Sequence, residues 1–326
     1  MSYLRRFIIW FVFLSTSIGL AGVGPKEVVA RYPEKPITII VPFGAGGGFD
    51  TMARALAVRL EKELKVTFVV LSRPGAGGRR GSVTLYKSKP DGYTIGFAHY
   101  TPFLSDEILL DKKPSINYRK FAVVLKVSQS KHFVFVTKET PFKSLSDLKG
   151  AGRPIKFAAT GLGAITWVEG SAVGATVGFP VTFVTGYRSL PVAAVAAARG
   201  DAEAGIGGYH HIRGVLDDVR PLAFLGKERD PHLPDVPSIQ ELGYERLAVL
   251  GSPRVVSAPP GTPEARLAIL RKAMLKVIRQ PDFVEWAKKG GFYLEPEEPA
   301  VFWKTIEANA EIFRSLKPLV QKARGK

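Results

Sequence analysis

Apolar residues along this 326-residue chain follow two periods in alternation. Thr38–Val41, Thr67–Leu71 and Thr94–Phe97 are short runs rich in β-branched or aromatic residues, the pattern of buried strands. Between the first two, Met52, Leu56, Leu60 and Leu64 fall at helical spacing. They predict a helix from Thr51 to about Lys62, opened by Asp50 as its cap. A further helix is expected between the turns Arg73–Gly78 and Lys89–Tyr93. The middle of the chain repeats this alternation as a second sheet. Its strands are expected at Phe121–Val127, Phe133–Val136, Phe157–Ala159, Val181–Val184, Ala204–Ile206 and Leu222–Leu225, with helices at Ser144–Lys149, after Ala164 and at Val192–Ala198. The tail is helical. Thr262 caps a helix with Pro263 first and Leu267, Leu270, Met274 and Val277 on one face, ending near Pro281. Phe302, Ile306, Ala310, Phe313 and Leu316 mark a last helix. Strands interleaved with helices predict an α/β fold with crossovers.

The N-terminus stands apart from this pattern. Arg5 and Arg6 precede an apolar run, Phe7–Leu14, and small residues up to Ala21, so residues 1–21 read as a secretory signal peptide. No later run approaches the roughly 18 apolar residues of a membrane span. Gly170, Gly174 and Gly178 have the spacing of a membrane dimer motif, but Glu169 argues for close helix–sheet packing instead. With no cysteine, the chain has no disulfide framework, thiol nucleophile or thiolate metal site, which suits a bacterial periplasm. The formal charge is +17, carried by basic residues that are scattered apart from pairs such as Arg79-Arg80 and Lys112-Lys113. No basic stretch is interleaved with aromatics, so nucleic acid is not an expected partner. The charge serves anionic solutes or a solvated surface.

The candidate chemistry lies in glycine loops. After Thr38–Val41 come Pro42 and four glycines within Gly44–Gly48. A strand, a loop of bare amides and a helix N-terminus make an anion site. A P-loop would need Lys then Ser or Thr where Phe49-Asp50 stands. A dinucleotide fingerprint would need a glycine at Phe49 and an acid after the second strand, where Ser72-Arg73 stands instead. The loop Thr160–Ala164 repeats the arrangement in the second sheet, so two helix N-termini facing across a cleft would clamp one small anion. Asp50 either only caps its helix or also faces the pocket. His99 lies beyond the third strand, where a sheet's ligand crevice forms. His210-His211 lack an acid at metal-ligand spacing, and no serine–histidine–acid set is visible. No catalytic residue, metal or cofactor is expected.

These motifs, in order, resemble a known family. Tyr32–Pro36, Val41–Asp50, Arg73–Gly78, Pro90–Thr94, Thr160–Gly163, Gly186–Ser189, Pro234–Pro237, Glu241–Gly243 and Ala258–Pro263 match Bug-type substrate-binding proteins of tripartite tricarboxylate transporters. The resemblance implies a two-lobed, type II periplasmic-binding-protein fold with the ligand between lobes. One lobe would comprise residues 32–128 plus 255–326, the other 129–254, with crossings near Lys126–Lys131 and Ser252–Ala258. It further implies a non-catalytic, monomeric receptor that hands a small organic carboxylate to membrane subunits, for transport or sensing. A periplasmic α/β enzyme using the same cleft is the alternative. The implied ligand contacts are Phe43, Gly46, Gly47, Gly48, Phe49 and Asp50 in the first loop and Thr160, Gly161, Gly163 and Ala164 in the second. Tyr187 and His99, Tyr100 and Thr101 would face the ligand's other end. The chain departs from the family where threonines commonly fill positions 48 and 49 and a serine fills 164. With Phe49, Tyr100, Trp167 and Tyr187 as candidate walls, the expected ligand is weakly polar, an aromatic or branched monocarboxylate.

Overall fold

The computed structural model describes residues 32–323; the expected signal peptide at 1–21 lies outside them. Along the chain, β1 (Ile37–Val41), α1 (Gly48–Leu64), β2 (Phe68–Ser72), α2 (Arg79–Tyr86), β3 (Thr94–Ala98) and α3 (Thr101–Ile108) alternate. The long strand β4 (Ala122–Ser130) runs directly into β5 (Phe133–Thr137). Then follow α4 (Leu145–Lys149), β6 (Ile155–Ala159), α5 (Ile165–Val177), β7 (Val181–Thr185), α6 (Leu190–Ala198), β8 (Ala204–Gly207), α7 (Tyr209–Ile212) and β9 (Val219–Phe224). The remainder is β10 (Ser252–Ala258), α8 (Glu264–Ile278), α9 (Pro281–Lys289), β11 (Tyr293–Glu297) and α10 (Pro299–Ala323).

These strands form two sheets, the basis of a two-lobed α/β fold. The first has the order β11-β4-β10-β3-β1-β2 and the second β7-β6-β8-β5-β9. Strands β1, β2 and β3 pair in parallel through helical crossovers, as do β6, β7 and β8. The central pair β4 and β10 is antiparallel, placing Ser252 opposite Ser130 and Arg254 opposite Ser128. Every residue of β10 is buried, because β3 and β4 flank it and helices cover it. The stripe Phe302, Ile306, Ala310, Phe313 and Leu316 packs α10 against α3 and α5, in a core that also takes in residues of both sheets.

Several elements differ from expectation. Helix α1 starts at Gly48, with Gly47 as its cap, so Asp50 sits within the first turn and does not cap it. The Thr262 hydroxyl donates to the Pro259 carbonyl, and α8 begins at Glu264 without a side-chain cap. Pro281, expected as a terminator, occupies the first turn of α9, where a missing N–H costs nothing. Helix α3 was hidden because its eight residues bury Thr101 and Ser105 along with apolar ones, leaving no clean apolar stripe. Strand β11 was hidden by Pro296, a residue tolerated at this sheet edge.

Candidate functional site

The first glycine loop is braced from outside the cleft. Gly46 has φ +78°, a conformation that favours glycine, and its amide donates to Asp50 Oδ2 at 3.0 Å. Asp50 also accepts two hydrogen bonds from Arg54, at 2.9 and 3.0 Å, and is 2% exposed. This leaves the first turn of α1, with no side-chain cap, beside a cavity lined by Gly47, Gly48 and Phe49. From the other sheet, Thr160, just after β6, and Ile165, the first residue of α5, line the same cavity. The two helix N-termini therefore converge on one space of ≈ 20 Å³, room for about one water. Phe43, Phe49, Ile165 and Leu190 supply apolar walls.

The polar side of the cavity comes from the crossing strands and α7. Arg254 is 1% exposed, and its guanidinium donates to His210 Nε2 at 2.9 Å, Ser130 Oγ at 3.4 Å and Ser128 Oγ at 3.5 Å. It lies 5.5 Å from the Phe49 ring and 5.1 Å from that of Phe292. Ser130 Oγ is 2.7 Å from His132 Nε2, and His132 Nδ1 is 2.7 Å from Glu169 Oε2, all three being buried. Burial, followed by the Arg254 charge, holds His210 well below the usual histidine range. Burial and the neighbouring His210 do the same to His211. The Gly208 amide donates to His211 Nδ1 at 3.0 Å, so the neutral ring carries its proton on Nε2.

Phe43 and Thr160 also line a second, outer cavity of ≈ 540 Å³, together with Gly77, Gly161, Tyr187 and Arg188. The sheets' loops touch around it. Gly44 N–H donates to the Arg188 carbonyl at 2.9 Å, and Arg79 binds Asp106 through two bonds while donating to the Leu162 carbonyl at 2.9 Å. A Cβ on Gly161 would stand 2.9 Å from Gly77 N, so the two glycine turns pack backbone to backbone.

Residues 52–300 match the family model of the tripartite tricarboxylate transporter family receptor. This chain belongs to that receptor family. It is 30% identical over 297 residues to protein BugT of Bordetella pertussis, covering 87% of this chain and 88% of BugT. The solved periplasmic binding protein BugD superposes with a TM-score of 0.73 at 26% identity, covering 90% of this chain and 96% of BugD. MatC from Rhodopseudomonas palustris, solved with bound malate, shares the fold at 22% identity, with a TM-score of 0.75 over 89% of this chain and all of MatC. The receptor is thus an extracytoplasmic solute-binding protein of a tripartite transporter.

Within the receptor, Phe43, Gly47, Gly48, Phe49 and Thr160 meet at the inner cavity, while Gly161 and Tyr187 stand at the outer one. Gly46 and Asp50 brace the loop and line neither. Gly163 and Ala164 pack against Arg79 and Gly77, respectively. His99 lies beneath Phe43 and Phe49, 5.1 and 5.7 Å away, and donates from Nδ1 to the Gly77 carbonyl at 3.1 Å. Burial pushes its pKa down to about 3. Tyr100 is a core residue, bonded to Ser257 at 2.9 Å among Phe121, Phe302 and Trp303. Thr101 opens α3 at a separate crevice beside Leu250 and Phe313. Trp167 packs on Phe183 within the core. Sequence reading missed Arg254, Ser252, Ser130, His132, Glu169, Ser189 and His211. One signal was available: Glu169 interrupts a helix that is otherwise apolar or small, and Arg254 interrupts a central strand.

Proposed function

We propose that this receptor is exported to the periplasm on a cleaved signal peptide, binds a small, weakly polar organic carboxylate as a monomer, and presents it to membrane transporter subunits without turnover. One observation carries the reading: the uncapped first turns of α1 and α5 line one cavity together with a buried arginine. Such a place favours an anion and rejects amines and neutral sugars. The apolar walls from Phe43, Phe49, Ile165 and Leu190 favour a ligand with little polar surface beyond its carboxylate. Closure follows from contacts made by both lobes. Residues 32–128 plus 255–326 form one lobe, 129–254 the other, and β4 and β10 carry the hinge. A thermal-shift screen of mono-, di-, tri- and aromatic carboxylates against amines and sugars tests this. Ligand at 100 times its Kd stabilises by about 2.7 kcal/mol. Shifts from amines or sugars alone would defeat the reading.

A second reading, hydrolysis of a carboxylic ester, is favoured by one arrangement. Ser130, His132 and Glu169 stand in nucleophile–base–acid order at hydrogen-bond distances, with Arg254 placed to receive an oxyanion. Release of 4-nitrophenol from 4-nitrophenyl acetate by the wild type, lost in S130A, would establish it. Stoichiometric binding without product leaves the receptor reading alone.

A further inference from the structure

Arg254 is the one permanently charged side chain lining the inner cavity, and it lacks a counter-ion among the described residues. Its guanidinium bonds a histidine nitrogen and two serine hydroxyls, the latter at 3.4 and 3.5 Å, and lies against the Phe49 and Phe292 rings, while its Nε has no hydrogen-bond partner. A buried cation held by neutral acceptors and aromatic rings, without a counter-ion, is costly. Burial is what pushes its pKa down, to about 9, with no nearby carboxylate opposing the shift. The network reaches Glu169 only through Ser130 and then His132.

The surroundings add to the positive potential. A Cβ on Gly48 would fall 2.5 Å from Arg254 Nη2, so the guanidinium touches the first residue of α1, a 17-residue helix. Helix end and guanidinium have the same sign, and a dry wall of Phe43, Phe49 and Ile165 limits screening. Around them the free polar atoms can all donate. The Ser189 and Ser252 hydroxyls are buried without partners, and His211 Nε2–H faces Gly48. A carboxylate, which only accepts, fits this set. The lining of the inner cavity offers no second cation, and a space of ≈ 20 Å³ has no room for a second carboxylate.

We infer that Arg254 pairs directly with the ligand's carboxylate and restricts this site to ligands carrying a single one. This rests on the carboxylate-receptor reading and adds to it the anchoring residue and the charge of the ligand.

Calorimetric titration of the purified receptor tests the inference with matched pairs: butanoate and butanedioate, hexanoate and hexanedioate, benzoate and benzene-1,4-dicarboxylate. Within at least one pair the monocarboxylate should bind about 10-fold or more tighter, and its primary amide should not bind. R254Q should weaken that monocarboxylate by about 100-fold, as loss of a buried charged pair does. The unliganded melting temperature of R254Q should not fall, because the buried cation it removes has no counter-ion among the described residues. A dicarboxylate that binds as tightly as its partner, an amide that binds like the acid, or a folded R254Q of unchanged affinity would each overturn the inference and leave the receptor reading standing. The amide comparison needs no variant, so it holds even if R254Q fails to fold. Absence of binding by every carboxylate would overturn both.

Discussion

At the scale of single residues, the least family-like positions have a physical account. Gly48 lacks a side chain because Arg254 and His210 occupy its space, each 2.5 Å from where a Cβ would be. Phe49 covers the same guanidinium with its ring. Gly48→Ala should therefore displace Arg254, weakening carboxylate binding about 10-fold or more and costing about 1–3 kcal/mol by overpacking. Titration and thermal melts check both. Asp50→Asn leaves the cavity lining intact but removes the charged brace on Gly46 and Arg54. A loss of about 1–3 kcal/mol in urea midpoint analysis is expected, with a smaller effect on affinity. The glycines and Phe49 were legible because a strand, loop and helix follow one another in sequence. The role of Arg254 was not, since a charge interrupting an apolar strand marks a buried group but not its neighbours, and it reaches Gly48 only when β10 is laid between β3 and β4. Ser130, His132 and Glu169 were hidden likewise, because 37 residues separate the histidine from its acid.

At the scale of elements, periodicity identified most strands and helices and misplaced their ends. Apolar spacing marks the buried middle of α1, but its first turn is set by the Gly47 backbone in the extended region. Periodicity also predicted the face of α10 that packs against α3 and α5. Because α5 begins at the cavity, this packing supports the site from behind. Phe313, 4% exposed on that face, should cost about 3–5 kcal/mol when replaced by alanine. A denaturation midpoint close to that of the wild type would mean that the helix is only loosely docked. Strand β11 was illegible for the opposite reason: besides Pro296, Tyr293–Glu297 carries no alternation, and its place comes from pairing with β4.

At the scale of the whole molecule, buried neutral histidines set the acid limit of stability. His99, His210 and His211 all have pKa values lowered by burial, His99 to about 3. The unfolded chain takes up protons near pH 6.5, where the folded one does not. Stability is therefore full above that pH and falls as pH drops toward the folded values, by up to about 1.4 kcal/mol per pH unit for each histidine. Melting temperatures between pH 8 and 4 should trace this fall, and His99→Gln should make it shallower by the share of one histidine. A flat profile would contradict neutral burial. The loop contacts set a different balance. Arg79→Ala removes the bond to the Leu162 carbonyl and should populate a more open form, raising the solution radius of gyration and weakening ligand binding about 3- to 10-fold. Equal scattering curves for the variant and the wild type would count against that role. Phe43 and Thr160 separate the inner cavity from the outer one, and the inner space is far too small for a solute to turn or slip past them. A ligand held as proposed above escapes only when these walls part, and because contacts to both lobes keep them closed, its residence time lengthens with the strength of those contacts.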